Sequence, residues 1–297
     1  MSKSYSVVIV NYNTCNILKE CLDNLFKIDH SMSVVVVDNA SPDNSVVMVK
    51  DNFPQVTLIE NPVNKGLAYA SNQGFRAANG DYIVYLGSDA FPNNETITGV
   101  INYIDADSTI GAATPKLVLR SRLLDMDAHR GFPTPWASFT HFSGLNKIFP
   151  NTNFFNSYFL GGEDITKPHK IDLCISHFLV VKKTVLEKLN GWDEDYFLYG
   201  EDVDLCYRMS ELGYKLMYLP QFEAVHYKGS GIGVRSSSQD ISTATKEIKK
   251  KYVIGNSTRS MVLFYKKHYY KKYPAFVNFL ILSSIKMLSV IRNYTRR

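Results

Sequence analysis

The first ninety residues alternate short apolar runs with stretches of helical periodicity, and this alternation limits the fold more than any other feature. The runs at 6–10 and 33–38 are β-branched and end in polar loops, which is typical of parallel strands buried on both faces. Residues 16–29 between them place apolar side chains at helical spacing. The same criteria predict further strands at 56–60 and 81–86 and helices at 44–52 and 67–79. The pattern predicts an α/β fold with a doubly wound, mostly parallel sheet, Rossmann-like in its alternation.

The second half is less regular. Residues 131–162 form a loop-rich, aromatic stretch, followed by a predicted strand at 174–181, a short helix to Leu189 and a longer helix over about 201–212. All of the motifs described below fall within roughly the first 235 residues. We therefore predict one domain over 1–245, with a nucleotide-binding half at about 1–115 and an acceptor half at about 116–245. Residues 246–297 are predicted to be a basic helical tail.

Composition limits the class of protein and its compartment. The chain has 297 residues, of which 45% are hydrophobic and 21% charged, values ordinary for a globular enzyme. Its four cysteines form no C-x-x-C pair, so neither a zinc site nor a disulfide framework is indicated. The apolar stretch at 7–10 is too short for the core of a signal peptide. We expect a cytoplasmic location.

Charge is distributed unevenly along the chain. Residues 246–297 hold 13 Lys and Arg and one acid, whereas the rest holds 20 basic and 27 acidic residues. A basic, Tyr-rich run at 265–273 precedes an apolar stretch at 275–291, which contains enough polar residues that we expect it to be too short and too polar to span a membrane. A helix lying on an anionic membrane surface is predicted instead. The alternative is a helix packed on the domain or on a second copy in a homo-oligomer. The acidic front region argues against a nucleic-acid partner.

Polar side chains follow three of the predicted strands. Asn11-Tyr12-Asn13, Asp38 and Ser88-Asp89 stand at strand ends, where an open α/β sheet binds its ligands. No G-x-G-x-x-G follows the first strand, which disfavours an NAD enzyme. Asp89 follows a hydrophobic strand, where a carboxylate can reach a divalent cation that bridges two phosphates. Each of these residues taken alone could equally cap a turn.

An acidic and aromatic segment at 191–204 is the strongest local signal. Six acids fall within twelve residues beside four aromatics. Acids near a helix start can simply favour the helix macrodipole, but their mixture with aromatics is typical of a sugar-facing surface with a general base. Downstream, His226 precedes a glycine-rich loop at 229–233 that can close over a phosphate, while the histidine completes a metal shell.

Taken in order, these motifs resemble the family-two inverting glycosyltransferases with the GT-A fold, especially bacterial polysaccharide and rhamnosyltransferase-like members. The resemblance runs from about Tyr5 to Tyr270. Its elements are Val-Val-Ile-Val-Asn-Tyr-Asn13, Val-Val-Asp-Asn-Ala-Ser41, Asn-Lys-Gly-Leu-Ala68 with Asn72-Gln-Gly74, Gly80-Asp-Tyr82 before Gly-Ser-Asp89, Gly191-Trp-Asp-Glu-Asp195, Tyr-Gly-Glu-Asp-Val-Asp-Leu-Cys206 and Val-His226.

The resemblance assigns roles to particular residues. It implies that Asp202 deprotonates the acceptor hydroxyl, that Asp89 is the surviving acid of a D-x-D metal motif, and that His226 contacts the metal or the diphosphate. The metal would be Mn²⁺ or Mg²⁺. Asn13 and Asp38 would contact the nucleoside. The full set predicted to bind the nucleotide-sugar is Asn11, Tyr12, Asn13, Asp38, Asn39, Lys65, Gly66, Ser88 and Glu201.

Two positions depart from the family pattern. Gly87 stands where the first acid of the metal motif is usual, which leaves the number of protein ligands open. His177 stands in Ser176-His177, where many members have a small pair beneath the sugar. It is interpreted either as a residue that alters donor or acceptor choice or as a hydrogen-bonded core histidine.

The function that the resemblance implies is inverting transfer of a sugar from a UDP- or dTDP-linked donor, with dTDP-rhamnose suggested by analogy. The acceptor would be a glycan or lipid-linked glycan of surface polysaccharide biosynthesis, such as O-antigen or capsule. The tail would keep the enzyme peripheral to the inner face of the cell membrane. The alternatives are a non-catalytic GT-A-like domain that binds a nucleotide or glycan, and a scaffold on the membrane surface.

Overall fold

The computed structural model describes residues 3–227 and 246–295. A mixed sheet forms its centre. The strands are β1 (Tyr5–Asn11), β2 (Ser33–Asp38), β3 (Thr57–Glu60), β4 (Tyr82–Leu86), β5 (Ala90–Pro92), β6 (Ile110–Leu119), β7 (His169–Ile171), β8 (Phe178–Lys182) and β9 (Lys215–His226). The helices are α1 (Cys15–Ile28), α2 (Ser45–Asn52), α3 (Leu67–Ala77), α4 (Thr96–Asp105), α5 (Pro135–Ser143), α6 (Leu145–Ile148), α7 (Lys183–Leu189), α8 (Glu201–Glu211), α9 (Lys246–Phe264) and α10 (Ala275–Thr295).

The strands follow the order β3-β2-β1-β4-β8-β6-β9-β5, and β7 pairs with β9. The first four are all parallel, as the β-branched runs predict. Strand β8 joins antiparallel to both β4 and β6, while β6 and β9 pair in parallel. The α/β fold class is confirmed, and the second half adds the antiparallel pairs that make the sheet mixed.

Two hydrophobic layers cover the sheet. On one face Val7 and Ile9 of β1 pack with apolar side chains of α1, α2 and α4. On the other face Val8 packs with α3, α7 and α8. Successive side chains of a strand point to opposite faces of the sheet. Neighbouring positions of a β-branched run therefore pack against different helices. The doubly wound arrangement of the prediction is confirmed.

The second half contains elements that the sequence did not reveal. Strand β8 begins at Phe178, four residues later than predicted, because the residues before it turn into the crevice at the end of β4. Helix α5 lies inside the stretch predicted to be loop, with Thr134 as its N-cap. The twelve-residue strand β9 was not predicted. It contains Pro220, and its pairing with β6 shifts register at the step from Pro115 to Lys116, which breaks the regular two-residue pattern.

The start of the tail packs on the domain. Tyr196 and Tyr207 form a cluster with Phe264, Tyr265 and Tyr269 of the tail, and all five are buried. The predicted alternative of a tail helix packed on the domain therefore holds for the end of α9 and the π-helical turn at Tyr265–Tyr269.

A buried amide joins the two tail helices. Asn278 accepts a hydrogen bond from the Tyr265 hydroxyl at 2.6 Å and donates to the carbonyls of Tyr270 and Tyr273, each at 3.0 Å. This residue looks in the sequence like an interruption of an apolar stretch. Its side chain instead satisfies the backbone of the turn between the helices.

Helix α10 is longer than the apolar stretch predicted from the sequence. It continues to Thr295. Residues Ala275–Tyr294 have a mean hydropathy of 1.6, and only 11% of this apolar stretch is buried inside the protein. By length and composition alone, this helix is long enough and apolar enough to cross a membrane. The expectation that the stretch is too short to do so is thereby corrected.

A close backbone contact connects the two halves of the domain. Gly66 has φ of +96°, and a Cβ on it would lie 2.5 Å from the carbonyl oxygen of Phe197. The same carbonyl accepts a hydrogen bond from the backbone N–H of Leu67 at 2.8 Å. Glycine is required here both for the backbone conformation and for the approach of the acidic segment.

Replacing Gly66 by Ala should therefore destabilise the protein by more than a positive φ alone would. Gly213 is a matched control, because it has φ of +82° and nothing within 4 Å of an added Cβ. We expect Gly213→Ala to cost about 1–2 kcal/mol and Gly66→Ala roughly 1–3 kcal/mol more, from the backbone clash. Urea unfolding of the two variants measures the difference. Equal losses would show that the contact with Phe197 relaxes freely.

Candidate active site

The carboxyl ends of β1 and β2 are locked together by side chains. Asn11 donates from Nδ2 to Asp38 Oδ1 at 2.8 Å and to the Ser41 hydroxyl at 3.0 Å. The backbone N–H of Ser41 donates to Asp38 Oδ2 at 2.9 Å. Thr14 donates to Asn11 Oδ1 at 2.6 Å and lies 3.1 Å from the Ser88 hydroxyl. Asn11, Asp38 and Ser88 are thus brought together as predicted, and Asn11 and Asp38 are buried parts of the frame.

Side chains also tie the end of β2 to the loop that follows β3. Asn39 is buried and donates to the Gly66 carbonyl at 3.1 Å, while its Oδ1 accepts from the backbone N–H of Lys65 at 3.3 Å. Tyr12 is 48% exposed beside this frame, and Asn13 adopts φ of +57°, with its N–H donating to Ser41 at 2.9 Å. Tyr12 therefore presents a large open surface to a ligand. Nucleotide contacts by these residues stay a prediction.

Asp89 lies in the turn between β4 and β5 and is only 5% exposed. Oδ1 of its carboxylate lies 3.6 Å from Nε2 of His226, the last residue of β9, and 3.9 Å from Nε2 of His177. Strands β5 and β9 pair with Ala90 opposite His226, so the sheet register itself sets the first of these distances. The predicted metal residues Asp89 and His226 therefore meet.

A second carboxylate orients His226 from behind. Nδ1 of its ring lies 2.8 Å from Asp125 Oδ2, and both side chains are almost fully buried. Because an ionised carboxylate only accepts hydrogen bonds, Nδ1 carries the proton and donates it. This directs Nε2 toward Asp89. A histidine ligand whose other nitrogen donates to a carboxylate is the usual supporting arrangement of a metal site.

The residues present fit a divalent cation. Nε2 of His226 is buried and has no hydrogen-bond partner within 3–227 and 246–295, although it faces a carboxylate. A buried polar atom without a partner costs free energy, and a cation between this nitrogen and Asp89 removes that cost. A carboxylate oxygen and an imidazole nitrogen are donors that Mn²⁺ accepts, and a carboxylate with several waters suits Mg²⁺.

The electrostatics of these side chains point the same way. Burial opposes ionisation of Asp89, but the nearby imidazoles of His226 and His177 outweigh it and hold the pKa of this carboxyl well below its usual range. Burial also disfavours the charged form of His226, yet the carboxylates of Asp125 and Asp89 raise its pKa to about 9. The site therefore holds a positive charge between two carboxylates even before a metal replaces the proton.

The predicted base Asp202 lies in the first turn of α8. Its Oδ2 lies 3.7 Å from Nη2 of Arg130, and its Oδ1 accepts a hydrogen bond from the backbone N–H of Val203 at 2.8 Å. Burial raises the pKa of Asp202, while Arg130 opposes that shift. The charge of His177 lowers the pKa of Asp202, so this carboxylate lies within electrostatic range of the candidate cation site.

Glu201 is more deeply buried than Asp202, and Oε2 has no hydrogen-bond partner in the part of the chain that the structure describes. Burial first, and then the charge of Asp202, raise its pKa strongly. Two adjacent carboxylates of this kind do not ionise independently. The predicted contact of Glu201 with the sugar stays a prediction.

The tail supports the helix that carries these acids. Asp204 is fully buried, with Nε2 of His268 2.7 Å from Oδ1 and Nε of Arg208 2.6 Å from Oδ2. Lys267, beside His268, forms ion pairs with Asp193 and Asp195 of the acidic segment. The π-helical turn thus fixes the first turn of α8 from the side opposite the sheet.

Comparison with known proteins agrees with this geometry. Residues 6–189 match the sequence profile of Glycosyl transferase family 2. The chain belongs to this family. It is a glycosyltransferase, and the resemblance drawn from its motifs is confirmed.

Two curated relatives illustrate the range of the family. The rhamnosyltransferase WbbL of Escherichia coli strain K12 is 26% identical over 231 residues, which cover 74% of this chain and 82% of the relative. The N-acetylglucosaminyl-diphospho-decaprenol L-rhamnosyltransferase of Mycobacterium tuberculosis is 24% identical over 247 residues, covering 78% of this chain and 79% of the relative.

Solved structures share the fold of this glycosyltransferase. The mannosyltransferase PcManGT from Pyrobaculum calidifontis, solved with GDP-Man and Mn²⁺, superposes with a TM-score of 0.54 at 17% identity and covers 99% of this chain and 85% of its own. The S. aureus TarS 1–349 structure gives 0.53 at 14% identity, covering 89% and 72%. At these identities the likeness establishes the GT-A fold alone.

Three residues of the glycosyltransferase site escaped the sequence analysis. Asp125 and Arg130 lie in an irregular stretch after β6, and His268 lies in a basic run that was interpreted through its net charge. The sequence shows only that each of the three is ionisable and lies in a segment to which no functional motif was assigned. The glycine-rich loop at 229–233, predicted to close over a phosphate, lies outside the described residues.

Removing the His268 side chain should weaken the support of α8. We expect His268→Ala to lower the free energy of unfolding by about 1–3 kcal/mol at pH 7, because a buried carboxylate loses a donor. His268→Gln, which keeps an N–H donor, should recover part of the loss. Replacement of the exposed His30 by Ala should change little.

The pH dependence separates this effect from a simple loss of packing. Burial opposes ionisation of Asp204, but His268 and Arg208 outweigh it and lower its pKa. The ionised Asp204 carboxylate therefore stabilises the folded protein fully above about pH 4, the usual pKa of a carboxyl group. This stabilisation is lost as the pH falls through the lowered pKa of Asp204. Thermal unfolding of wild type and His268→Ala should converge as the pH falls below 4. A constant difference would indicate packing alone.

Proposed function

We propose that this glycosyltransferase moves one sugar from a UDP- or dTDP-linked donor to a hydroxyl of a glycan acceptor, with inversion at the anomeric carbon. The observation that carries the proposal is the proximity of a base to the cation donors. Asp202, a largely buried carboxylate whose pKa is raised, lies within electrostatic range of His177, whose ring borders Asp89 and His226. A base on one side and a diphosphate site on the other are what a single displacement requires.

Asp202 takes the proton of the acceptor hydroxyl. Its raised pKa suits this role, since a general base works best when its pKa approaches the working pH. Arg130 holds the carboxylate in place and favours its ionised form. The oxygen–carbon bond then forms as the bond to the donor diphosphate breaks on the opposite face, which inverts the configuration.

Asp89 and His226 would hold the divalent cation, Mn²⁺ or Mg²⁺, with Asp125 orienting the imidazole. A bound cation supplies positive charge that stabilises the departing diphosphate. The frame of Asn11, Asp38 and Asn39 would orient the nucleotide, with Tyr12 available for contact with the base.

The names of the relatives support a narrower choice of donor and acceptor. Two of them are described as rhamnosyltransferases, and one of these acts on a lipid-linked diphosphate sugar. We infer dTDP-rhamnose as the donor and a lipid-linked glycan as the acceptor, in the synthesis of a bacterial surface polysaccharide such as O-antigen or capsule.

The base assignment is tested by Asp202→Asn. We expect transfer from dTDP-rhamnose to fall roughly 10²–10⁴-fold, while calorimetric binding of dTDP with Mn²⁺ is unchanged. Asp51→Asn is the control, since it removes the charge of an exposed acid on α2, outside the acidic segment. Transfer that persists in Asp202→Asn would exclude this residue as the base. Nucleotide binding without transfer in the wild type would favour the non-catalytic alternative.

We further infer that α10 holds the enzyme on the inner face of the cell membrane. Three large apolar side chains of this helix, Phe276, Phe279 and Leu280, are more than half exposed. The surrounding segment, residues 246–297, holds 13 Lys and Arg against one acid, a net charge of +12. Apolar area and basic charge together are what binding to an anionic bilayer surface needs.

Flotation with vesicles tests this attachment. The protein should bind vesicles containing anionic lipid and bind zwitterionic vesicles less, with the difference reduced by salt. The double variant Phe276→Ser and Phe279→Ser should bind at least about tenfold more weakly, because each phenylalanine contributes about 1.5–3 kcal/mol when buried. Val47→Ser removes an equally exposed apolar residue elsewhere and should bind normally. Association that follows protein concentration rather than lipid would indicate a homo-oligomer instead.

A further inference from the structure

His177 lies directly beside Gly87 at the end of the sheet. Strands β4 and β8 pair with Leu86 opposite Phe178. One step beyond this pair, the backbone N–H of Gly87 donates to the His177 carbonyl at 2.9 Å. The two positions that depart from the family pattern are therefore neighbours in space, although ninety residues separate them in the chain.

Gly87 and His177 also complement each other in volume. A Cβ at position 87 would lie 2.8 Å from Cδ2 and 3.2 Å from Cγ of the His177 ring, and 2.8 Å from Asp89 Oδ1. These atoms are too close for a side chain to enter without moving the ring. The imidazole thus fills the space beside Asp89 that a side chain at position 87 would occupy.

The ring faces the other two candidate ligands. Nε2 of His177 lies 3.9 Å from Asp89 Oδ1, and its ring centroid lies 4.8 Å from that of His226. Ligand atoms of Asp89, His177 and His226 all lie within 4.8 Å of one another. An ion held at about 2.1–2.3 Å from each ligand needs neighbouring ligands roughly 3–3.5 Å apart, so a small inward movement suffices.

The ring of His177 is open and incompletely hydrogen-bonded. A neutral imidazole binds a metal through the lone pair of one ring nitrogen. Nδ1 of His177 has no hydrogen-bond partner within 3–227 and 246–295, and 41% of the side chain is exposed. Neither property fits a hydrogen-bonded core histidine.

We propose that His177 is a third protein ligand of the cation, replacing the donor that Gly87 lacks, and that the resulting set of two imidazoles and one carboxylate selects Mn²⁺ over Mg²⁺. The proposal rests on the proposed function, because it concerns the cation of that same site. Two nitrogens disfavour Mg²⁺, which prefers oxygen ligands, whereas imidazole suits later divalent metals. Affinity should rise from Mg²⁺ through Mn²⁺ to Co²⁺ for the same reason.

Calorimetric titration of the full chain with MnCl₂, CoCl₂ and MgCl₂, without donor or acceptor, tests the assignment. We expect His177→Ala to weaken Mn²⁺ and Co²⁺ binding about 10–100-fold and to change Mg²⁺ binding much less. The visible absorption of bound Co²⁺ should also change when one nitrogen ligand is lost. His30→Ala, which removes an exposed histidine elsewhere, is the control and should match wild type in all three titrations.

A compensating variant separates loss of a ligand from loss of structure. Gly87→Asp combined with His177→Ala removes the ring and supplies a carboxylate in its place. This double variant should bind Mn²⁺ more tightly than His177→Ala alone but prefer it less strongly over Mg²⁺ than wild type does. Thermal unfolding of each variant shows whether it is folded.

Two results would overturn the proposal. The first is unchanged Mn²⁺ affinity and Co²⁺ absorption in a folded His177→Ala protein, and the second is a wild type that does not discriminate Mn²⁺ from Mg²⁺. Neither outcome touches the proposed function, which the transfer assay with Asp202→Asn tests separately. A wild-type protein that binds Mn²⁺ but transfers no sugar would instead contradict the proposed function and leave the assignment of His177 as a metal ligand in place.

Discussion

The buried chain from Asp89 through His226 to Asp125 is the interaction on which the rest of the site depends. It joins the start of β5, the end of β9 and the turn after β6, and the register that puts Ala90 opposite His226 makes the contact possible. Removing two carboxylates and an imidazole from water is costly unless their charges compensate. Here a positive charge, as a proton or as a cation, sits between two negative ones. The same electrostatic need that stabilises the sheet end thus creates affinity for a divalent ion.

The acidic segment is held equally firmly, and by contacts of a different kind. Asn72 exchanges hydrogen bonds with the backbone of Trp192, donating to its carbonyl at 2.9 Å and accepting from its N–H at 2.8 Å. Gly66 lets the backbone of Phe197 approach, and the tail fixes Asp204 through His268. The predicted base is therefore held from three sides by parts of the chain far apart in sequence. The tail, predicted first as a membrane-surface helix and alternatively as a helix packed on the domain, is part of the support of the site.

Much of the first half could be predicted because its signals are local. A β-branched or aromatic run between polar loops favours a strand buried on both faces, and β1, β2 and β4 follow this closely, whereas the edge strand β3 is only partly buried. The second half lacked such signals. Strand β9 contains a proline and a register shift, so its identity depends on β6 and β5 beside it. Asp125 and Arg130 gain their roles only from partners that lie 101 and 72 positions further along the chain, His226 and Asp202.

The sequence by itself determined the fold class and the family, and it predicted Asp89, Asp202 and His226 as site residues, because short motifs at strand ends and helix starts carry that information in their own spacing. Only the tertiary structure decided how these groups cooperate. It turned two separate departures, Gly87 and His177, into one complementary pair, and it placed the tail against α8. Distances, burial and charge are set by contacts between remote segments, and no local pattern encodes them.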